Sequence, residues 1–266
     1  MFANFILSTG RCGTQWLAKH LDATFGDRLT VVHEPLYIRY LPRQLLHVRD
    51  PAKSDNAQLI LGHVEKIEQQ LTTRPYIECG WECYSALAYF ADRFDGRIRI
   101  VHLTRHPVPT ACSMVSHRYY CLPPRPDQLT EKALLTPFDV GIRFVEYRSQ
   151  WEKLEPFEKC LFFWTEINSL GLRLERTLDV QWLRLRSEEL FHGDGLGRLL
   201  DFLELPHRDE IYEARGRRQD AYSFKTELNL NVAAISQHPR VMAIAEALGY
   251  DPLQVNEEEI RGRYSV

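Results

Sequence analysis

The segment Ser8-Thr9-Gly10-Arg11-Cys12-Gly13-Thr14 contains the residue types needed to receive an anion. Two glycines let backbone amides converge without a Cβ in the way. Arg11 adds a fixed cation, Thr14 a hydroxyl, and a helix starting here adds its positive end. The chemistry is a phosphate cradle. It is not the triphosphatase loop G-x-x-x-x-G-K-[ST], because Gly10 and Gly13 are too close and no Lys precedes Thr14. A plain Gly-bearing turn from strand to helix has the same composition, so the loop alone does not decide.

A second basic point follows in IVHLTRHPVPTACSMVSH, where Arg105 ends an apolar run and Ser113 stands eight positions on. Arg suits phosphate because its planar fork meets two oxygens at once. Thr110, Ser113 and His117 share one helix face. At about 1.5 Å rise per residue, Ser113 lies roughly 9 Å beyond Pro107, so a phosphate touched by both residues sits beside the helix, not at its tip. The plainer alternative is an Arg paired with a carboxylate and a buried Ser.

The elements that must position these residues alternate. Phe2–Leu7 reads as a strand, and 15–25 as a helix with Trp16, Leu17, Leu21 and Phe25 apolar. Leu29–His33, Tyr76–Cys79, Arg97–Leu103, Cys160–Trp164 and Val180–Leu185 read as further strands. Helices are expected near 64–71, 85–94, 107–117, 138–154, 166–177, 188–203 and 232–248. This pattern predicts an α/β fold, a doubly wound parallel sheet flanked by helices with helical insertions. Ligands in such sheets gather at the carboxyl ends of the strands. Residues 1–266 read as a single domain. Its stretches 36–75 and 119–158 are expected as insertions or a lid beside the ligand edge, the Pro-rich part from Tyr120 to Pro137 being the candidate lid.

The 266 residues carry 33 Lys+Arg against 36 Asp+Glu, with 44% hydrophobic and 26% charged content. This excludes collagen-like, low-complexity and disordered classes. A net charge of −3 lacks the basic footprint that nucleic-acid binding needs. The six cysteines, none spaced C-x-x-C, read as reduced thiols. No apolar run is long enough to span a bilayer and the N-terminus lacks a secretory pattern, so the expected location is cytoplasmic. A homo-oligomer is compatible with the sequence.

STGRCGTQW followed by TRHPVPTACSMVSH resembles the two phosphate-binding signatures of sulfotransferases that use 3′-phosphoadenosine 5′-phosphosulfate, closer to the bacterial and carbohydrate type than to the cytosolic type. WLRLRSEELFHGDGLGRLLDFLELP and RRQDAYSFKTELNL resemble later segments of the same family. The resemblance implies a P-loop-like fold. It also implies transfer of a sulfuryl group to a hydroxyl or amine of a small molecule, lipid or carbohydrate; the alternatives are a P-loop nucleoside or metabolite phosphotransferase, or a catalytically inactive nucleotide-binding protein on the same fold. Gly10, Arg11, Cys12, Gly13, Thr14, Gln15 and Trp16 would hold the 5′-phosphosulfate end. Arg105 and Ser113 would hold the 3′-phosphate, with Arg217 and Arg218 of the C-terminal loop returning to it. Cys12 replaces the usual Ser, and Ser187 the Tyr that often touches adenine, leaving Trp16 as the stacking face or as plain core. No metal is expected, since the transferred group carries a single negative charge.

The reaction needs a base for the acceptor proton and a cation for the leaving phosphate. VVHEPL resembles the F-E-P-L of carbohydrate-type members, which implies Glu34 as base and Arg11 as the neutralising cation. A Glu34 paired with Arg39 or Arg43 is the structural alternative. Glu78 and Glu82 are second choices for the base. His33 is expected on the opposite face from Glu34. His63 has no placement at the ligand edge, and His102 with His106 does not make a metal pair. Trp81, Tyr84, Tyr119, Tyr120 and Phe138 either line the acceptor cleft or build core.

Overall fold

Strands β1 (Ala3–Leu7) and β4 (Ile98–Thr104) are buried at every residue, as central strands covered on both faces must be. With β2 (Thr30–Val32), β3 (Tyr76–Glu78) and β5 (Gln181–Arg186) they form an all-parallel sheet in the order β2-β3-β1-β4-β5. This computed structural model describes residues 1–46, 50, 53–216 and 232–264. Its helices are α1 (Thr14–Phe25), α2 (Pro42–Leu45), α3 (Ala57–Gln70), α4 (Leu87–Arg93), α5 (Pro107–Ser116), α6 (Leu129–Lys132), α7 (Pro156–Thr177), α8 (Ser187–His192), α9 (Gly195–Phe202), α10 (Asp209–Glu213), α11 (Pro239–Ala247) and α12 (Glu257–Tyr264).

Successive residues of the central strands feed opposite cores. Phe5 and Ile100 join α4, α5 and α7 on one face. Ile6 and Val101 join α1 and α9 on the other. The chain leaves β1 toward β2 at one edge and leaves β4 toward β5 at the opposite edge. Neighbouring strands whose connections diverge open a crevice at their carboxyl ends. The loop 8–14 and Arg105 both emerge there.

The strand expected at Cys160–Trp164 is instead the middle of α7, a 22-residue helix with a capping box at Glu155 and Glu158. Cys160–Trp164 is five apolar residues in a row, all buried, so this segment by itself shows no helical period. Gly171 lets α7 cross close to β4, since a Cβ there would lie 2.5 Å from the His102 ring. The helix expected over 138–154 is absent. Two 3-10 turns, Val145–Ser149 and Trp151–Lys153, follow Gly141, whose φ is 87°. The helix expected at 64–71 begins earlier, at Ala57. Those expected at 188–203 and 232–248 are each broken, at Gly193 and before Pro239. No helix among the described residues is long and apolar enough to cross a membrane.

Candidate active site

The turn from β1 into α1 uses three left-handed residues, Gly10 (φ 72°), Arg11 (φ 60°) and Gly13 (φ 102°). Gly13 is required twice over, because a Cβ there would also meet the Phe191 ring at 2.8 Å. The loop's own hydroxyls brace it. Ser8 Oγ accepts from the Gly10 amide at 3.0 Å, and Thr9 Oγ1 donates to the Gly10 carbonyl at 3.1 Å. The Cys12 thiol donates to that carbonyl at 3.1 Å, and burial pushes it up to about 11, so it stays protonated. The first turn of α1 contains no acidic residue, and its leading amides have no helical partner. They remain for an anion.

The two basic segments interlock. Arg105 Nη1 donates to the Arg11 carbonyl at 3.0 Å, and Arg11 Nε donates to Ser113 Oγ at 3.0 Å. Arg105 Nη2 donates to the Tyr264 hydroxyl at 3.3 Å, while Trp164 Nε1 donates to the Arg105 carbonyl at 2.9 Å. Residues 11–16, Arg105 and Ser113 line one cavity of about 760 Å³. Of the sequence-derived nucleotide set, Gly10 lies outside this cavity, with its Cβ position 3.3 Å from Trp81. Arg217 and Arg218 lie outside the described residues.

Trp16 is 3% exposed, gives its indole N–H to the Ala214 carbonyl at 3.2 Å and meets Phe191 edge-on. Its role is mostly packing. Phe191, half-buried on the cavity wall, offers the more open aromatic face. Phe191, Arg215 and the C-terminal stretch including α12 also line the cavity, beside Arg186, Ser187 and Glu188, and were not singled out from the sequence, apart from Arg215 as the first residue of a basic loop. Phe191 follows the Glu-Glu-Leu turn after β5, which is the one local signal for it.

Glu34 follows β2 and also adopts a left-handed conformation, φ 45°. Its carboxyl does not line this cavity. It lies where Arg11 acts on it electrostatically, and burial, offset by Arg11, raises it to about 7. The strand ends at Val32 and φ reverses at Glu34, so His33 is not turned away as expected. Its Nε2 lies 3.7 Å from Glu34 Oε1. Neither alternative partner takes Glu34. Arg43 bonds Asp139 at 2.6 Å, and Arg39 donates to backbone carbonyls at Leu36 and Pro35.

The other two carboxylates differ sharply. Glu78 accepts from Tyr40 at 2.7 Å and Tyr76 at 2.9 Å, with His63 Nε2 at 2.9 Å. This buried network ties α3 and the turn after Glu34 to β3, and it leaves Glu78 committed to structure. Glu82 is 0% exposed and neither oxygen has a hydrogen-bond partner. Burial, reinforced by the Glu34 charge and only partly offset by the nearby Glu82 and Trp81 backbone amides, which stand outside good hydrogen-bond geometry, raises its pKa well above the usual carboxylate range. Gly80 separates the pair: a Cβ there would touch Glu34 Cα and Glu82 Oε2, each at 3.4 Å.

Of the aromatics expected around an acceptor, Trp81, Tyr84, Tyr119 and Tyr120 are buried and Phe138 is 54% exposed. Burial raises the Tyr119 hydroxyl's pKa, with Arg11 opposing and Glu34 and Glu82 adding to the shift. The Pro-rich segment is clasped over this region by Asp127, which accepts from Tyr37 at 3.1 Å and from Arg125.

No family model matches this sequence, and no curated protein matches it. Among solved structures, a sulfotransferase from Alicyclobacillus acidocaldarius aligns with a TM-score of 0.52 and 15% identity, over 94% of this chain and 97% of that chain. The sulfotransferase domain of the Synechococcus PCC 7002 olefin synthase aligns with a TM-score of 0.49 and 16% identity, over 94% and 95% of the two chains. The sulfotransferase domain from the curacin biosynthetic pathway gives a TM-score of 0.49 and 14% identity, over 94% and 98%. The likeness to the Alicyclobacillus protein is one of fold: this chain has the sulfotransferase fold.

Proposed function

We propose that this chain is a sulfotransferase that takes its sulfuryl group from 3′-phosphoadenosine 5′-phosphosulfate. The acceptor is a hydroxyl or amine of a small molecule, lipid or carbohydrate. The observation that carries the reading is the pair of 3.0 Å bonds, Arg105 to the Arg11 carbonyl and Arg11 to Ser113, which merges two anion-binding segments into one cavity. The residues present fit this co-substrate: the Gly13 cradle has no room for a Cβ, the α1 amides face an acid-free turn, and Phe191 offers a face for the base.

When bound, the co-substrate supplies an activated sulfuryl group attached to a phosphate leaving group. Arg105 and Ser113 hold the 3′-phosphate, and the amides after Gly13 receive the 5′ end. Arg11, between Ser113 and Glu34, meets the negative charge that grows on the departing phosphate oxygen. Glu34 accepts the proton of the attacking hydroxyl as the acceptor–sulfur bond forms and the sulfur–phosphate oxygen bond breaks. A group ionising near 7 is well matched to that task at neutral pH.

The test is calorimetry with adenosine 3′,5′-bisphosphate and with ATP, followed by sulfuryl transfer to a panel of alcohols and amines. Tight binding of the bisphosphate with transfer that is lost in Glu34→Gln supports the reading. Preference for ATP, or unchanged turnover in Glu34→Gln, overturns the nucleotide or the base assignment respectively.

A further inference from the structure

The C-terminal helix α12 lies 159 residues from Arg105 in sequence, yet the Tyr264 hydroxyl accepts a hydrogen bond from Arg105 Nη2 at 3.3 Å. Tyr264 is 2% exposed, and its ring packs in the main core together with Ile260. α12 packs against α5, the helix that carries Ser113. A phosphate bridging Arg105 and Ser113 must lie along the flank of α5, and Ile260 and Arg263 of α12 line the same cavity as those two residues.

A phenol has one proton to donate besides the lone pairs with which it accepts. The bond from Arg105 occupies a lone pair. Among the described residues, the Tyr264 hydroxyl shows no hydrogen bond besides the one it accepts from Arg105, and no acceptor for its own proton. An anion seated on the Arg105 fork would supply that acceptor.

We propose that α12 forms the outer wall of the subsite for a ribose 3′-phosphate and that Tyr264 is its third donor, beside Arg105 and Ser113. The inference rests on the nucleotide reading above and extends it to a helix that neither phosphate-binding segment contains. Its consequence is selectivity. Tyr264 contributes to binding of nucleotides with a 3′-phosphate and nothing to binding of those without one.

The experiment is a titration of wild type, Tyr264→Phe and Tyr264→Leu with adenosine 3′,5′-bisphosphate and with AMP, alongside thermal melting. Tyr264→Phe keeps the ring and removes only the hydroxyl. Loss of a hydrogen bond to a charged partner is expected to weaken the bisphosphate roughly tenfold or more while AMP affinity stays unchanged. Tyr264→Leu should match it. Equal loss for both nucleotides, unchanged or tighter bisphosphate binding in Tyr264→Phe, or a loss confined to Tyr264→Leu would each overturn the role of the hydroxyl. A wild-type chain that does not prefer the bisphosphate over AMP would instead remove the nucleotide reading itself.

Discussion

Gly13 and Phe191 approach so closely that no side chain fits between them: a Cβ on residue 13 would sit 2.8 Å from two carbons of the ring. The same glycine has a φ of 102°, which L-residues with a Cβ rarely adopt. Gly13→Ala therefore displaces the aromatic wall and strains the turn. We expect a loss of about 1–3 kcal/mol of stability by urea denaturation. Affinity for adenosine 3′,5′-bisphosphate should fall at least tenfold by calorimetry. Wild-type values for both would refute the role assigned to this contact.

The base role proposed for Glu34 requires its ionised form, and burial raises its pKa to about 7. The rate of sulfuryl transfer is expected to fall as pH drops below about 7 and to level off above it. Glu34→Gln should lower turnover by about 10²–10⁴-fold, the range for a lost general base, with nucleotide affinity retained. A flat profile from pH 5 to 9 would reassign the proton acceptor.

Glu82 affects the pH dependence of folding. Its pKa is raised in the folded chain, first by burial and then by the Glu34 charge. The folded state thus holds a proton that the unfolded state gives up at the ordinary carboxylate pKa. Its contribution to stability is complete below that value and is lost as pH rises toward the raised one. Glu82→Gln keeps the shape and cannot ionise. Denaturant midpoints of the two proteins should diverge as pH rises from 5 to 9, with the variant the more stable by about 1–3 kcal/mol at the alkaline end, the usual cost of a buried group without partners. Parallel curves would show that Glu82 is solvated or paired in solution.

Arg105 bridges the Arg11 carbonyl and the Tyr264 hydroxyl with two different nitrogens. A lysine ammonium is a point donor and cannot reproduce that fork. Arg105→Lys should weaken the bisphosphate by roughly tenfold or more while leaving its charge complement intact. Calorimetry at two salt concentrations checks this, because a purely electrostatic role would be restored by low salt.

The opening strand, the loop 8–14 and the helix after it were readable because their signals are local and contiguous: an apolar run, paired glycines, then helical spacing. Arg105 and Ser113 were readable for the same reason. The start of the buried middle of α7 was not, because Cys160–Trp164 is an unbroken apolar run that strand and buried helix share. The expected separation of His33 from Glu34 assumed strand alternation past Val32, where the strand has ended and φ has changed sign. Glu78 and Glu82 look alike in YIECGWECY. Only the positions of Tyr40, Tyr76 and His63 make one a satisfied structural anchor and the other a buried acid without partners. Tyr264 reaches Arg105 across most of the chain length, which no local pattern encodes.

The backbone carbonyl of Arg11, rather than its side chain, is what Arg105 holds. On the proposed reading, the receiving loop is thus already clamped by the guanidinium assigned to the 3′-phosphate, and little chain entropy remains to be surrendered on capture. Recognition should then resemble a key entering a rigid lock, with association rates set by diffusion and charge more than by rearrangement.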